Sequence, residues 1–549
     1  MIYHPTLIIL ASVFALTLSY KKNRAFSVIA LSMPIISAVF FYQLPDSGTI
    51  DLFSLSFIIE ANSSIKLIGS AFILALFLAN LYALGQDKKN EVILGSSYGA
   101  FAFLCLLAGD FLSMFIGLEL MMIFSSIIIF IGGIRSSLRS AKKYFFTHLV
   151  SSNLIIIGIT YLITENNNLE IVSITDLLNN AEDGFIPLLL MSLGLLINIA
   201  IFPFCGWMVS CYPKASPSGF LYLISFTTKV SIMLMIKLLS GCEMLQYVAI
   251  PMIMYASVKA MYEDNILSIL CYLSIISMGL MLLAISNGSH AALLGVAAYL
   301  FIDIVYKLLL GISFVSLVDK TANYDCSNLK LIKSKILLGS ISVGIIMMMN
   351  APLTSSWYIK SSISLIFIDS PIYFLILFLN FMTILALPWK QYFSSKEHYN
   401  FTLNVYTKLG LIFAMIALGI IMVTRKYLPV FSEIEDFETI GIFSADTVKQ
   451  IILILSAIYV AFHWKTKRTI TKPINLMETI GNILFYIYNY CLNRQTQADP
   501  EGKEALAIET LEQQIKAKIT LIHNQKTAIF VAITMFMVML VALNISIPN

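Results

Sequence analysis

Charged residues are scarce in this sequence. Asp, Glu, Lys and Arg make up 12% of its 549 residues, about half the share found in an ordinary soluble domain. Hydrophobic residues make up 58%, and the mean hydropathy is +0.86. This composition excludes a soluble globular protein and indicates a chain that lies mostly in lipid. The formal net charge of +4 is small and gives no indication of nucleic-acid binding.

The sequence also lacks the motifs of cofactor-binding proteins. Its seven cysteines are scattered without a CxxC pair, so neither an iron–sulfur cluster nor a structural zinc site is indicated. Its six histidines form no haem-like pair on one helix. No GxGxxG follows a strand, and no Walker loop occurs. We therefore expect neither a cofactor nor a metal ion in this chain.

Apolar runs long enough to cross a bilayer recur along the chain, and we predict about sixteen transmembrane helices. The predicted spans are 5–20, 25–43, 64–85, 93–109, 111–132, 144–163, 186–208, 218–241, 247–262, 266–285, 290–317, 333–366, 372–388, 403–423, 449–464 and 527–547. A basic cluster, Lys21, Lys22 and Arg24, follows the first run instead of preceding it. The N-terminus therefore lacks the pattern of a cleavable signal peptide, and the positive-inside rule predicts that it lies outside the cell.

Two of these spans are interrupted by proline. Pro203 lies late in the seventh span, and Pro352 breaks the run 333–366. Broken helices at membrane depth occur where they face protein or a wet cavity, and paired breaks are typical of transporters built from inverted repeats. A simple proline kink is the alternative at each position.

The long polar stretch 465–526 separates the last predicted span from the others. Its apolar residues recur at intervals of three and four, which predicts an amphipathic helix over part of it. This helix either packs on the bundle at the membrane interface or docks a partner subunit. We divide the chain into a transmembrane core, residues 1–424, and a C-terminal extension, residues 425–549.

Ionisable residues lie inside the apolar spans, where a charge costs roughly 2.5–3.5 kcal/mol on insertion scales. They suggest a polar path for protons or ions through a helix bundle. The residues concerned are Glu119, Lys229, Asp303, Lys307 and Lys360.

Four stretches in order along the chain resemble one family. They are GLEL at 117–120, KYF at 143–145, FPFCGW at 202–207 with ASP at 215–217 and TKV at 228–230, and APL at 351–353 leading to Lys360. The chain thereby resembles the proton-translocating antiporter-like subunits. These comprise the large membrane subunits of respiratory complex I and of Mrp-type cation/proton antiporters. The resemblance covers roughly residues 90–390, and the C-terminal extension is more like a D-type Mrp subunit.

The resemblance implies an all-α polytopic membrane protein. Its core would hold about fourteen helices with two inverted five-helix repeats and broken helices, followed here by about two further C-terminal transmembrane helices. It implies protons moving along buried lysines and carboxylates, and partners that are other membrane subunits of one assembly. It also implies location in a bacterial inner membrane.

The family's roles can be carried over residue by residue. Glu119 matches a glutamate that in the family pairs with a seventh-helix lysine, and moving a carboxylate relative to a buried lysine changes how readily that lysine holds its proton. Lys229 matches the central lysine of the eighth helix, Lys307 that of the eleventh, and Lys360 that of the twelfth. Asp303 replaces a family histidine, and its spacing of four from Lys307 allows the two to pair. Each of these residues has a purely structural alternative, as a hydrogen-bonded or ion-paired core residue.

The sequence also departs from the family. Asn198 stands where the family has its seventh-helix lysine, so Glu119 lacks its usual partner, and Lys229 or His148 are the candidates to replace it. Leu267 and Ser268 replace a lysine and an arginine.

Three functions remain open: a subunit of a Na⁺ or K⁺/proton antiporter, an antiporter-like subunit of an NADH-quinone oxidoreductase, and a structural subunit that has lost transport. Whether the chain is part of an enzyme differs between them.

Overall fold

The computed structural model describes residues 4–52, 55–132, 136–179, 184–326, 334–387, 403–424 and 445–463. Nearly all of them are helical, as the sequence predicts. The predicted polar stretch 465–526 and the predicted span 527–547 lie outside the described residues. The division at residue 424 stays a prediction.

The first half of the bundle contains eleven described helices. They are α1 (Pro5–Leu18), α2 (Asn23–Tyr42), α3 (Ser63–Gly85), α4 (Lys89–Leu107), α5 (Phe111–Phe130), α6 (Ser137–Asn166), α7 (Thr175–Asn179), α8 (Phe185–Asn198), α9 (Gly206–Cys211), α10 (Pro217–Ser225) and α11 (Thr227–Leu239). A short 3₁₀ turn, Tyr212–Lys214, links α9 to α10.

The second half continues with helices of the same kind. They are α12 (Met244–Tyr262), α13 (Ile266–Asn287), α14 (His290–Thr321), α15 (Lys335–Met348), α16 (Ser355–Leu365), α17 (Pro371–Ala386), α18 (Val405–Thr424) and α19 (Ala445–His463). Ten membrane-spanning candidates lie among the described residues, with α10 and α11 counted as one span, and shorter apolar helices accompany them.

A small β-hairpin is the one departure from the predicted all-α fold among the described residues. Strands β1 (Ser47–Leu52) and β2 (Leu55–Glu60) pair antiparallel, with Ser47 opposite Glu60. The hairpin is tied to the α4–α5 connection, because the Gly109 amide donates to the Ile58 carbonyl at 2.8 Å and the Ile58 amide to Asp110 Oδ2 at 2.8 Å. The segment is too short and too polar to register as a membrane span, which is why span prediction passed over it.

Both predicted helix breaks are present, and the backbone has the same conformation and the same hydrogen bond at each. After α8, Ala200 adopts φ +63°, and the Ile201 amide donates back to the Leu196 carbonyl. After α15, Asn350 adopts φ +56°, and the Ala351 amide donates back to the Ile346 carbonyl. This is the Schellman ending, in which a left-handed residue lets the chain turn and satisfies the last carbonyls. The breaks are therefore built ends of helices, and the kink alternative is wrong at both.

A third break, between α10 and α11, has no proline or glycine to announce it. Phe226 (φ −115°, ψ −65°) interrupts the helix one turn before Lys229. The freed Thr227 amide donates to the Tyr98 hydroxyl at 2.9 Å, which replaces the lost helical hydrogen bond. The interruption places the first turn of α11 in the interior of the bundle.

The long helix α14 lies at the centre of the bundle. It packs against α3, α10, α13, α15, α16 and α18. Every residue in its most apolar window is buried. Polar side chains on α14 are thus shielded on all sides and must find their partners within the protein.

Candidate functional site

Asp303 and Lys307 form a fully buried ion pair on α14. Lys307 Nζ lies 2.7 Å from Asp303 Oδ1 and 2.8 Å from Oδ2. Their side chains are 0% and 1% exposed. The pair predicted from the spacing of four residues is therefore present, and each charge is neutralised where water cannot reach it.

Hydroxyl groups complete the hydrogen bonding of this pair. Tyr306 donates to Asp303 Oδ1 at 2.6 Å, and Lys307 donates to Ser277 Oγ on α13 at 2.9 Å. The Tyr299 hydroxyl, two turns before Tyr306 on α14, donates to the same Ser277 oxygen at 3.0 Å. Ser277 therefore joins the ion pair to the surroundings of Tyr299.

Lys360 lies on the far side of Tyr299, on α16. Its ammonium lies over the Tyr299 ring, 5.0 Å from the centroid, and donates to the Met348 carbonyl at 3.4 Å. This carbonyl belongs to the last turn of α15, directly before the second break. The break thus supplies an acceptor to a buried lysine, as broken helices do where they line a site.

A cavity of about 70 Å³, with both polar and apolar side chains in its lining, opens beside Lys360. A single water needs roughly 10–15 Å³ by the same kind of measure, so several fit. Lining residues come from α13, α14, α16, α17 and α19 and include Ser277, Tyr299, Lys360, Asn380 and Gln450.

Lys229 approaches the ion pair from α11. It is 0% exposed, and the hydrogen bond described for its ammonium goes to Thr228 Oγ1 at 3.2 Å. The charges that act on it are those of Lys307 and Asp303. Lys229 is therefore a buried amine whose Nζ contacts a neutral hydroxyl and lies in the electric field of the pair on α14.

Glu119 belongs to a second polar cluster, on α5, α6 and α8. Its carboxylate lies within hydrogen-bonding reach of Ser152. Next to Ser152, the Ser151 hydroxyl lies 2.8 Å from Asn198 Oδ1, and His148 Nδ1 lies 2.8 Å from the same oxygen. The cluster thus gathers a carboxylate, an amide and an imidazole, all less than 8% exposed.

Hydroxyl groups lie between the two clusters. The Tyr144 ring lies against His148, with centroids 4.2 Å apart and an angle of 42° between the rings, and its hydroxyl lies 3.3 Å from Thr227 Oγ1. Thr227 Oγ1 also hydrogen-bonds the Tyr98 hydroxyl. Thr227 stands two residues before Lys229, so the polar connection ends in the same turn of α11 as that lysine.

Hydropathy singles out the charged members of this site but not its neutral ones. The structure brings Lys229, Asp303, Lys307 and Lys360 into one electrostatically coupled group. Glu119 lies in the neighbouring cluster. Tyr299 was noticed in the sequence only as a replacement for a family histidine. The hydroxyls of Ser277, Tyr306, Thr227 and Tyr98 were missed because Ser, Thr and Tyr are common in membrane helices. Among the described residues, no group of three His, Cys, Asp or Glu side chains is arranged to hold a metal ion.

Comparisons with known proteins match this architecture. Residues 108–370 match the model of the NADH:quinone oxidoreductase/Mrp antiporter transmembrane family. NADH-quinone oxidoreductase subunit N of Pelagibacter ubique is 23% identical over 330 residues, covering 56% of this chain and 69% of the relative. The D-type subunit of the Na⁺/H⁺ antiporter of Bacillus subtilis is 24% identical over 230 residues, covering 40% of this chain and 45% of the relative.

Two solved structures share the fold. The Mrp complex from a Dietzia species superposes with a TM-score of 0.75 at 12% identity, covering 94% of this chain and 63% of the matched chain. The archaeal membrane-bound sulfane sulfur reductase, a respiratory complex, gives 0.69 at 15% identity, covering 82% and 99%. The resemblance inferred from the sequence motifs is confirmed: residues 108–370 match the NADH:quinone oxidoreductase/Mrp antiporter transmembrane family, and the chain is an integral membrane protein similar to antiporter-like subunits.

Proposed function

We propose that this chain is the proton-translocating membrane subunit of a multisubunit monovalent cation/proton antiporter that exchanges H⁺ for Na⁺ or K⁺. Other membrane subunits of the assembly are its partners. The proposed setting is a bacterial inner membrane with the N-terminus outside. The observation that carries the proposal is the row of buried ionisable groups Lys229, Asp303–Lys307 and Lys360, in which Ser277 and Tyr299 link Lys307 to Lys360.

The row supports stepwise proton movement. A lysine in the row holds a proton on Nζ, releases it to a hydroxyl or water beside it, and recovers one from the other side. Lys229 and Lys307 repel each other when both are charged, so loading one favours release from the other. Asp303 stays paired with Lys307 and keeps the average charge of the central site near neutral. Lys360 then releases the proton into the cavity beside it.

The proposed roles are therefore distinct. Lys229, Lys307 and Lys360 carry protons, Asp303 controls the charge of Lys307, and Glu119 modulates entry from the α5–α6 side. Exchange for a metal cation requires a second path, which in a multisubunit assembly lies in or against partner chains. No cation site is assigned to the described residues.

A role in an oxidoreductase complex is the second candidate. Several of the relatives are named NADH-quinone oxidoreductase subunit N, and one solved neighbour is a respiratory complex. The same proton path would serve there, driven by electron transfer in other chains. A structural subunit without transport is the third possibility, motivated by Asn198 and Leu267.

The test measures pH-gradient dissipation in energised vesicles that contain the full complex, upon addition of Na⁺ or K⁺. The wild type, Lys229→Met and Lys320→Met are compared. Lys320 is the matched control, because it is an exposed lysine at the end of α14. We expect cation-dependent flux in the wild type and in Lys320→Met, and a loss of about tenfold or more in Lys229→Met.

The outcomes separate the three functions. Wild-type flux that is absent with either cation but appears on adding an electron donor and quinone favours the oxidoreductase complex, as does co-purification of flavin and iron–sulfur subunits. Wild-type rates in Lys229→Met would remove the proton-carrying role from this chain and favour the structural alternative.

A further inference from the structure

We propose that His148 carries protons between Glu119 and Lys229, so that the α5–α6–α8 cluster and the α14 row form one path. The inference rests on the proposed function: it adds a proton-carrying residue to the same transport, and it extends the role of Glu119 from modulating entry to donating the proton. The inference concerns His148, a buried ionisable side chain that is not part of the row of buried charges Lys229, Asp303–Lys307 and Lys360.

His148 is buried, with only one ring nitrogen satisfied. It is 4% exposed, and its Nδ1 hydrogen-bonds Asn198 Oδ1 at 2.8 Å. Its Nε2 has no hydrogen-bond partner among the described residues. An unpaired buried polar atom costs about 1–3 kcal/mol. Because Asn198 Oδ1 can only accept a hydrogen bond, Nδ1 carries the ring hydrogen and donates it, and Nε2 of the neutral ring keeps a lone pair that is available to accept a proton.

The aromatic surroundings of His148 fix its position and leave little room to rotate. Its ring lies 4.2 Å from that of Tyr144 and 4.5 Å from that of Trp207, centroid to centroid. Trp207 is itself held by a hydrogen bond from Nε1 to the Ile197 carbonyl at 3.0 Å. The imidazole is thus a positioned group and not a mobile side chain filling a gap.

On one side, His148 shares a face of α6 with Ser152, the residue that interacts with Glu119. Ser152, within hydrogen-bonding reach of Glu119, is four residues after His148 on α6 and therefore lies on the same helix face. Ser151 and His148 share the Asn198 oxygen. Ser151 and Asn198 hold the imidazole through Nδ1, which leaves Nε2 as the ring atom that can receive a proton from the Glu119 side.

On the other side, His148 adjoins the hydroxyls that lead to Lys229. The Tyr144 ring lies against the imidazole at an angle of 42°, and its hydroxyl contacts Ser125 at 3.0 Å and Thr227 at 3.3 Å. The next residue along α11, Thr228, accepts a hydrogen bond from Lys229 Nζ at 3.2 Å. The titratable groups that face His148 and its partners are Glu119 on α5, Tyr144 on α6 and, after α9, Tyr212, whose ring lies 6.1 Å from that of Tyr144.

The proposed step moves one proton and changes only bonds to hydrogen. A proton released from the Glu119 carboxyl group reaches His148 Nε2, where a new N–H bond forms and the ring becomes an imidazolium. That N–H bond then breaks, the proton passes to water or hydroxyl groups beside Tyr144, and Lys229 Nζ accepts it. The imidazole returns to its neutral form, ready for the next proton.

The experiment replaces His148 by glutamine in the full complex and measures cation-dependent proton flux in vesicles. Glutamine can still form hydrogen bonds, but its amide cannot accept a proton at physiological pH. We expect H148Q to assemble and to lose about tenfold or more of the flux, the lower end of what a positioned acid–base group contributes. The matched control is His290→Gln, at an exposed histidine that begins α14.

Rescue distinguishes proton carrying from a packing role. In the double variant H148Q/N198K, an ammonium group at residue 198 supplies a protonatable site in the same cluster, and we expect flux to return in part. A packing role predicts instead that the larger lysine makes H148Q worse. If H148Q does not assemble, Tyr144→Phe tests the same connection with the imidazole intact, and we expect a flux reduced severalfold.

The failure of this proposal differs from failure of the proposed function. Absence of cation-dependent flux in the wild type would overturn the proposed function itself. Wild-type flux that is lost in Lys229→Met but unchanged in both H148Q and Tyr144→Phe would overturn the role of His148 alone.

Discussion

At the scale of single residues, the buried charges differ in how much they depend on one another. Asp303 accepts hydrogen bonds from Lys307 and Tyr306, so removing its charge strands an ammonium in the centre of the bundle. Lys229 is held by the neutral Thr228 hydroxyl, so removing its charge strands no ion. A buried pair broken on one side is costly, whereas replacing both partners by apolar groups is often tolerated.

Asp303→Asn alone is therefore expected to destabilise the subunit by about 3–5 kcal/mol, and the double variant D303N/K307M to recover most of that loss. The measurement is the thermal unfolding midpoint and the yield of assembled complex in detergent. Equal losses in the single and double variants would show that the ion pair does not behave as a coupled unit.

The charged site residues could be predicted from the sequence, and their neutral partners could not. Glu119, Lys229 and Lys360 each stand out because a charge in an apolar run is costly. Ser277 and Tyr299 carry no such signal, since their role depends on the approach of α13 to α14. The histidine at 148 was a candidate only because Asn198 broke the family pattern, and its orphaned nitrogen became visible only with the fold.

At the scale of elements, backbone contacts between helix ends hold the two halves of the bundle together. Gly241, after α11, and Gly288, after α13, approach closely with φ +80° and +69°, and the Gly241 amide donates to the Ile285 carbonyl at 2.9 Å. A Cβ atom added at Gly288 would lie 2.6 Å from the Gly241 Cα. Backbone atoms cannot yield as a flexible side chain would, so this contact requires glycine.

Gly288→Ala is expected to destabilise the subunit by more than about 1 kcal/mol, since the left-handed conformation and the clash with Gly241 both oppose a side chain. Gly339→Ala in α15 is the control, because nothing lies within 4 Å of the added methyl group. Unfolding midpoints of both variants are compared in detergent. A Gly288→Ala midpoint equal to that of Gly339→Ala would contradict the close approach.

The second helix break depends on a helix outside the matched family region. Gln450 on α19 donates through Nε2 to the Met349 and Asn350 carbonyls, both at 3.1 Å, and accepts from Asn380 Nδ2 at 3.1 Å. It also lines the cavity beside Lys360. The side chain thus satisfies carbonyls that the break leaves without helical partners.

Gln450→Leu should therefore destabilise the subunit by about 1–3 kcal/mol by leaving buried polar groups unsatisfied. Ser456→Ala is the control, at an exposed position on the same helix. The unfolding midpoint and the proton flux are both measured, because disorder at the break would disturb the Met348 carbonyl that Lys360 contacts. Unchanged values for both variants would mean that α19 does not support the break.

Apolar runs predicted most elements but not their interruptions. Helices α13 and α14 follow from hydropathy alone, and the breaks at Pro203 and Pro352 follow from proline at the end of a run. The break at Phe226 could not be predicted, because what stabilises it is the Tyr98 hydroxyl from another helix. The β1–β2 hairpin was missed because it is anchored by contacts with the α4–α5 connection, far from it in sequence.

At the scale of the whole molecule, we propose that the two polar clusters and the cavity beside Lys360 form one route through the bundle. If protons pass Lys229 and Lys360 in series, either substitution alone stops the flow. If the residues belong to parallel routes, each substitution leaves part of the flux. Series transport therefore predicts strongly non-additive effects, as for other residues that act as a unit.

The most direct test of a single proton path is the initial rate of cation-driven proton flux in vesicles that contain the full complex, for the wild type, Lys229→Met, Lys360→Met and the double variant. We predict a loss of about tenfold or more in each single variant and no further loss in the double variant. Wild-type rates in either single variant, or independent losses that multiply in the double variant, would contradict a single path through the buried charges.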